Sequence, residues 1–414
     1  MAGVIGVDFG TTNSVVSVLR PDGRVETARH AGLDVFRTVL CYWVEEGRGR
    51  TMLRHAAGPA AVEAYLEEPL DSRLIMSMKT YLAQHSFTQT RIFGRPFTLE
   101  QLVASFLREL LGKEHVGSRI VVGRPVRFAG DRADDLFGEE RLRASFAEAG
   151  FPDVTVALEP EAAGYRMART LDAPATVLVG DFGGGTSDFS VMRFEPGAER
   201  RVTPLGYAGI GIAGDTFDFR IIDHVVSPLL GKGDSYTVMG KPMPVPVAYF
   251  SAFARWHLLS MMRAPRTLRD IETVASTSTH PERLRALIRL IEDEMGFPLY
   301  QAVSGVKAAL SGRSEAVLRF SHGALEIEET IERAAFEEWI AEDLARIGGT
   351  IDRALENAGV EAGAVDRVFL TGGTSFVPAV RGLFERRFGE EKISGGGEFV
   401  SVAEGLALIA GERR

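Results

Sequence analysis

Two apolar runs, far apart in the chain, each end on an aspartate. Residues 4–8 read V-I-G-V-D and residues 176–182 read T-V-L-V-G-D-F. Both have the length of one strand, and their apolar positions are successive rather than alternate, as in a strand covered on both faces. A glycine turn follows each run, and a second apolar run follows each turn, at 14–19 and 188–194. Pro21-Asp22-Gly23 and Pro196-Gly197 are turns by composition, and runs 24–29 and 201–205 supply a third strand to each set. The same three-strand meander therefore occurs twice. This predicts two related α/β domains of about 150–200 residues each.

Helical periodicity occupies most of the rest. Thr98 and Gln101 have the spacing of a capping box, and behind them Leu99, Leu102, Val103, Phe106 and Leu110 share one helical face. Residues 133–149 are amphipathic and stop near Gly150. A strand at 154–158 leads into a helix at 161–170. Residues 331–357 read as one long helix ending near Gly359. A strand at 365–370, a Gly372-Gly373 turn and a helix over 377–388 follow. Two interrupted stretches, 31–94 and 227–297, fit neither plan and are expected to form outer lobes over a cleft.

Composition narrows the class. The chain has 414 residues, 45% hydrophobic and 25% charged, which suits a soluble protein of two or more domains. A net charge of −9 argues against non-specific nucleic-acid binding. Cys41 is the single cysteine, which excludes an intrachain disulfide and a cysteine metal cluster and fits a reducing compartment. No signal peptide, myristoylation site or membrane span is visible, so a cytoplasmic location without membrane partners is expected.

The glycine turns are where chemistry is expected. Glycine lets several backbone N–H groups converge on one anion, phosphate above all, although a lone glycine hairpin is usually only a hairpin. Two matched turns can clamp a polyphosphate from both sides. Asp8 and Asp181 lie at the ends of buried strands, where a carboxylate needs a cation or donors, and Asp188 stands across the second turn. Each could be a turn cap; three together also suit Mg²⁺, which prefers oxygen ligands, or a water aimed at a phosphoryl group. Glu159 precedes Pro160 at a helix start and either points into the cleft or is an ordinary acidic residue of a first helical turn. Gly372 and Gly373 either offer N–H groups to an anion or nucleoside or make a tight connection.

The strings V-D-F-G-T-T-N-S, G-D-F-G-G-G-T-S-D and L-T-G-G-T-S-F-V-P, in this order, resemble the nucleotide-binding domain of the 70-kDa heat-shock chaperones, within the actin and sugar-kinase superfamily. E-P-E-A-A and A-G-D-T-F-D extend the resemblance over nearly the whole chain, most closely to the short YegD-like branch. The resemblance implies duplicated ribonuclease-H-like (actin-like ATPase) lobes at 1–175 and 176–414 around a central nucleotide cleft. Outer insertions would lie at about 31–110 and 227–303. It implies that Asp8, Asp181 and Glu159 surround the water shell of Mg²⁺. Gly10, Thr11, Thr12 and Asn13 would hold the phosphates of ATP or ADP from one side, and Gly183, Gly184, Gly185 and Thr186 from the other. Asp181 and Asp188 would orient the attacking water, with Thr186 beside them. Lys79, a surface lysine from the sequence alone, would contact the γ-phosphate. Gly214 and Asp215 would lie near the β-phosphate. Lys307 and Ser311 would meet adenosine, and Gly372, Gly373, Thr374 and Phe376 would pack against it.

The sequence departs from the family on the adenosine side. Ser304 and Ala308 replace an acidic residue and an arginine, Phe376 replaces the arginine that stacks on adenine, and Phe399 stands near the place of an aspartate. The family's acidic-leucine linker and peptide-binding β-domain are absent, so client binding through the usual cleft is not expected. The expectation is a slowly ATP-hydrolysing, chaperone-like protein with a conformational output read by a protein partner. The rivals are a sugar-type small-molecule kinase, an actin-like filament protein and a nucleotide sensor with little turnover.

Overall fold

The computed structural model describes residues 3–412 except 31, 48–49, 130–132, 169–170, 196–200, 256–261 and 395–399. Phe399 lies outside the described residues. The chain forms two compact units, Met1–Gly214 with Leu344–Arg414, and Asp215–Asp343.

The first unit contains two sheets with the same winding. Strands β1 (Val4–Phe9), β2 (Asn13–Leu19) and β3 (Val25–Thr27) form an antiparallel meander. Strands β4 (Arg119–Arg124) and β5 (Val154–Leu158) extend it in parallel from β1, in the order β5-β4-β1-β2-β3. In the second sheet β6 (Ala175–Phe182), β7 (Ser187–Glu195) and β8 (Arg201–Ile210) repeat the meander. There β9 (Arg367–Thr371) and β10 (Ile393–Ser394) add in parallel, in the order β8-β7-β6-β9-β10. In each sheet the strand that opens the meander is the junction between antiparallel and parallel pairing. It is buried on both faces, which is why its apolar positions do not alternate.

Helix α1 (Leu99–Leu111) starts at the capping box read from the sequence: the Gln101 N–H donates to the Thr98 hydroxyl, and the Thr98 N–H donates to the Gln101 side chain. Its apolar face enters the core beneath the first sheet, with Phe106 5.7 Å from Phe9 ring to ring. Helix α2 (Asp135–Ala149) is capped by Asp134 and ends at Gly150, whose φ is 101°. Helix α3 (Glu159–Ala168) begins on Glu159 itself, and α4 (Ser401–Glu412) lies against both α3 and β1. Glycine makes that approach possible. A Cβ on Gly405 would sit 1.7 Å from the Ala162 carbonyl oxygen, and one on Gly6 would sit 2.2 Å from that of Ala403. Between β3 and α1 lies a three-stranded sheet of Arg50–Ala57, Val39–Gly47 and Ser72–Met76. A 3₁₀ turn, Met78–Tyr81, follows it.

Among the described residues the second unit includes the helices Val247–Phe253, Pro265–Ala275, Pro281–Glu292 and Gly296–Gly312, a short hairpin of Ser235–Val238 and Lys241–Pro244, and a longer one of Glu315–His322 and Leu325–Glu332. The long helix expected over 331–357 is not continuous. Leu325, Ile327 and Ile331 are buried while Glu326 and Glu328 are exposed, so two-residue alternation makes this stretch a strand. A short helix, Arg333–Trp339, follows, and Ala341–Ala358 begins anew after Ile340.

Candidate functional site

Both acid-bearing turns of the first unit close tightly. In the first, a Cβ on Gly10 would lie 2.0 Å from the Asn13 carbonyl oxygen. In the second, the Gly183 N–H donates to the Thr186 carbonyl at 2.9 Å. The turns meet: a Cβ on Gly185 would lie 3.5 Å from the Thr11 hydroxyl oxygen. The third glycine turn joins them. Thr371 pairs with Asp181 in the sheet register, and Gly372, at φ 86°, passes so close that a Cβ would lie 2.0 Å from the Phe182 carbonyl oxygen.

Beneath the turns sit four carboxylates and one ammonium. Asp181 and Asp188 are directly opposed across the β6/β7 pair, which puts two acids on one face of the sheet. Asp188 is 1% exposed, and one of its oxygens accepts the N–H groups of Val126 and Arg127 at 2.9 and 3.2 Å. Lys79, on the 3₁₀ turn, is 7% exposed and donates to Glu159 at 2.6 Å. Burial, together with the Glu159 charge, pushes Asp8 up to about 7 against the pull of Lys79. Burial and Glu159 likewise push Asp188 up to about 7, opposed by its hydrogen bonds to Thr186 and Arg127. Asp181 is raised well above the carboxylate range by burial and by the charges of Glu159, Asp8 and Asp188. Burial works against the Lys79 ammonium, but Glu159, Asp8 and Asp181 outweigh it and hold its pKa above the usual value.

The cluster is therefore short of positive charge. The Thr12 hydroxyl at its mouth is buried without a hydrogen-bond partner. An all-oxygen donor set with spare negative charge fits a hard cation such as Mg²⁺. Among the described residues no three His, Cys, Asp or Glu side chains stand close enough to chelate a metal together, so a hydrated ion is the form these residues suit.

Asp8, Lys79, Glu159, Asp181, Asp188 and the glycine turns all belong to the first unit, as do Gly214, Gly373, Thr374 and Phe376. Thr374 is buried, and its hydroxyl lies 3.5 Å from the Gly183 carbonyl, whereas the Phe376 ring is half exposed at 46%. Asp215, Lys307 and Ser311 belong to the second unit. There Lys307 donates to the buried Asp218 at 2.8 Å, the Ser311 hydroxyl donates to the Lys307 carbonyl, and Tyr300 donates to Asp215 at 3.2 Å. The surface lysine expected at position 79 from sequence alone is buried. The Val126 and Arg127 N–H groups escaped sequence reading altogether. Strand glycines beside the acids were their available signal: a Cβ on Gly209 would lie 2.4 Å from Asp188, and one on Gly123 would lie 2.9 Å from Glu159.

Comparison with known proteins adds to this geometry. The family model described as "Hsp70 protein" matches residues 290–412. The chain is 26% identical to "Chaperone protein DnaK" of Deinococcus proteolyticus over 99% of its own length and 59% of that protein. It is equally similar to the protein of the same name from Deinococcus radiodurans, over 99% of its length and 60% of the relative's. The chain thus spans about 60% of the length of the curated relatives it matches.

Proposed function

We propose that the chain is a member of the 70-kDa heat-shock protein family, whose model matches residues 290–412, and that its first unit binds Mg-ATP between the two acid-bearing turns and hydrolyses it slowly in the cytoplasm. The two sheets of like winding are, in this reading, duplicated ribonuclease-H-like lobes, 1–175 and 176–414. Conformational change on hydrolysis is read by a client or partner protein, and the activity is chaperone-like. The approach of Gly185 to Thr11, directly above the buried acids, is the observation that carries the proposal.

Backbone N–H groups of residues 10–13 and 183–186 hold the β- and γ-phosphates from opposite sides, and the free Thr12 hydroxyl donates to a phosphate oxygen. Lys79 places its charge where negative charge builds on the γ-phosphoryl group, held in that direction by Glu159. Asp181 and Asp188 orient a water in line with the bond that breaks, and the raised affinity of both for protons lets one accept the water's proton near neutral pH. A hydrated Mg²⁺ beside Asp8, Glu159 and Asp181 would supply positive charge to the phosphate oxygens. Gly214 serves the β-phosphate side. Gly372, Gly373, Thr374 and Phe376, of the same first unit, serve adenosine, with Phe376 stacking on the base in place of a guanidinium.

Asp181→Asn tests the reading. The variant is expected still to bind Mg-ATP and to lose most single-turnover hydrolysis. Parental turnover in Asp181→Asn would remove Asp181 from the chemistry.

A further inference from the structure

Lys79 stands on a loop, not on a strand or long helix, and something must hold that loop still. Its entry is strained. Ser77 is fully buried with φ 51°, a left-handed backbone that a non-glycine residue adopts only when its surroundings impose it. Beyond the 3₁₀ turn the segment 82–88 runs without helix or strand, although Leu82 and Ala83 are fully buried. Buried irregular backbone needs partners for its carbonyl groups.

Within the segment the Gln84 and Phe87 N–H groups donate to the Tyr81 and Gln84 carbonyls at 3.2 Å, and one side chain from α2 ties the same carbonyls and that of Phe87 to the rest of the unit. Arg141, in the second turn of α2, is 5% exposed. One of its terminal nitrogens faces the carbonyl oxygens of Tyr81, Gln84 and Phe87 at 3.3, 3.5 and 3.2 Å. Its Nε donates to Glu100 of α1 at 2.5 Å, which fixes the plane of the guanidinium. The Asp134 N–H adds a bond to the Ala83 carbonyl at 3.1 Å. The same end of α2 reaches the other side of the site, where Asp135 accepts the Phe128 N–H at 2.8 Å, next to the Arg127 N–H that holds Asp188.

We infer that Arg141 is a positioning residue for Lys79: it ties the lysine-bearing loop to the helix end that also braces the loop holding Asp188. Arginine suits the place because its rigid fork can satisfy a carboxylate and several carbonyls at once, which a lysine ammonium cannot. This inference rests on the reading that Lys79 acts on the γ-phosphate.

Four variants test it: Arg141→Met, Arg141→Lys, Glu100→Gln and Lys79→Met. Each is measured for single-turnover hydrolysis of bound ATP and for Mg-ADP affinity, with hydrogen exchange of amides 81–87 as a readout of the loop. Arg141→Met is expected to slow hydrolysis on the order of 10–100-fold, the cost of a small misplacement of a reacting group. Mg-ADP affinity stays parental and exchange in 81–87 rises. Arg141→Lys recovers part of the rate. A parental rate in Arg141→Met, or equal losses of hydrolysis and Mg-ADP binding, overturns the inference. If Arg141→Met does not fold, Glu100→Gln decides. It keeps an acceptor but drops the charge, so slower hydrolysis with intact binding supports the inference and a parental rate overturns it. Lys79→Met separates the two levels: its own parental rate defeats the role given to Lys79, whereas a slow Lys79→Met beside a parental Arg141→Met defeats only the role given to Arg141.

Discussion

Replacing Asp188 with asparagine should change how the stability of the protein depends on pH. The Asp188 carboxyl titrates at about 7 in the folded chain against an ordinary 3.8, because it is buried beside Glu159. A carboxyl that holds its proton more tightly when folded favours the folded state at low pH. That contribution is complete below pH 3.8 and is lost as the pH rises through about 7. At 1.36 kcal/mol per unit, a shift of about 3 units is worth about 4 kcal/mol in total, of which about 3 kcal/mol falls between pH 5 and pH 8. Asparagine keeps a carbonyl oxygen for the Val126 and Arg127 N–H groups and has nothing to titrate. Asp188→Asn should therefore gain about 3 kcal/mol on the parent protein between pH 5 and pH 8. Urea unfolding across that range, with chelator and without nucleotide, measures the difference. With a slope near 3 kcal/mol/M, it appears as a relative midpoint shift of about 1 M. Midpoints of parent and variant that move in parallel with pH would refute the reasoning.

Other substitutions read other parts of the account. Gly185→Val fills the gap to Thr11 and should abolish Mg-ADP binding in calorimetry while the circular dichroism spectrum remains parental. Gly405→Ala drives a methyl group into the Ala162 carbonyl and should lower stability by at least about 1–3 kcal/mol in thermal unfolding. Phe376→Ala removes a half-exposed ring and should leave stability within about 0.5 kcal/mol. The same variant should weaken Mg-ADP by about 1 kcal/mol or more through lost stacking on the base.

The meanders were legible in the sequence because each opens with a strand buried on both faces, and such a strand advertises itself as an unbroken apolar run. The capping box of α1 was legible because Thr98 and Gln101 act on each other within one turn. The acids at the strand ends stood out because aspartate seldom closes an apolar run. Lys79 did not stand out. Its burial depends on Glu159, eighty residues later, and nothing local distinguishes it from a solvated lysine. Arg141 and the Val126 and Arg127 N–H groups were hidden for the same reason, since their partners come from distant segments. Residues 331 and 332 were read into the helix because only pairing with Glu315–His322 makes them the end of a strand, and the break at Ile340 was missed because no glycine or proline marks it.

The central claim is that the turns of residues 10–13 and 183–186 form a clamp for a polyphosphate. Calorimetric titration with Mg-ADP beside AMP tests it most directly. The account predicts one Mg-ADP bound per chain, a much weaker response to AMP, which lacks the β-phosphate, and loss of ADP affinity when Mg²⁺ is chelated. Equal affinities for ADP and AMP, or no binding of ADP at all, would contradict it.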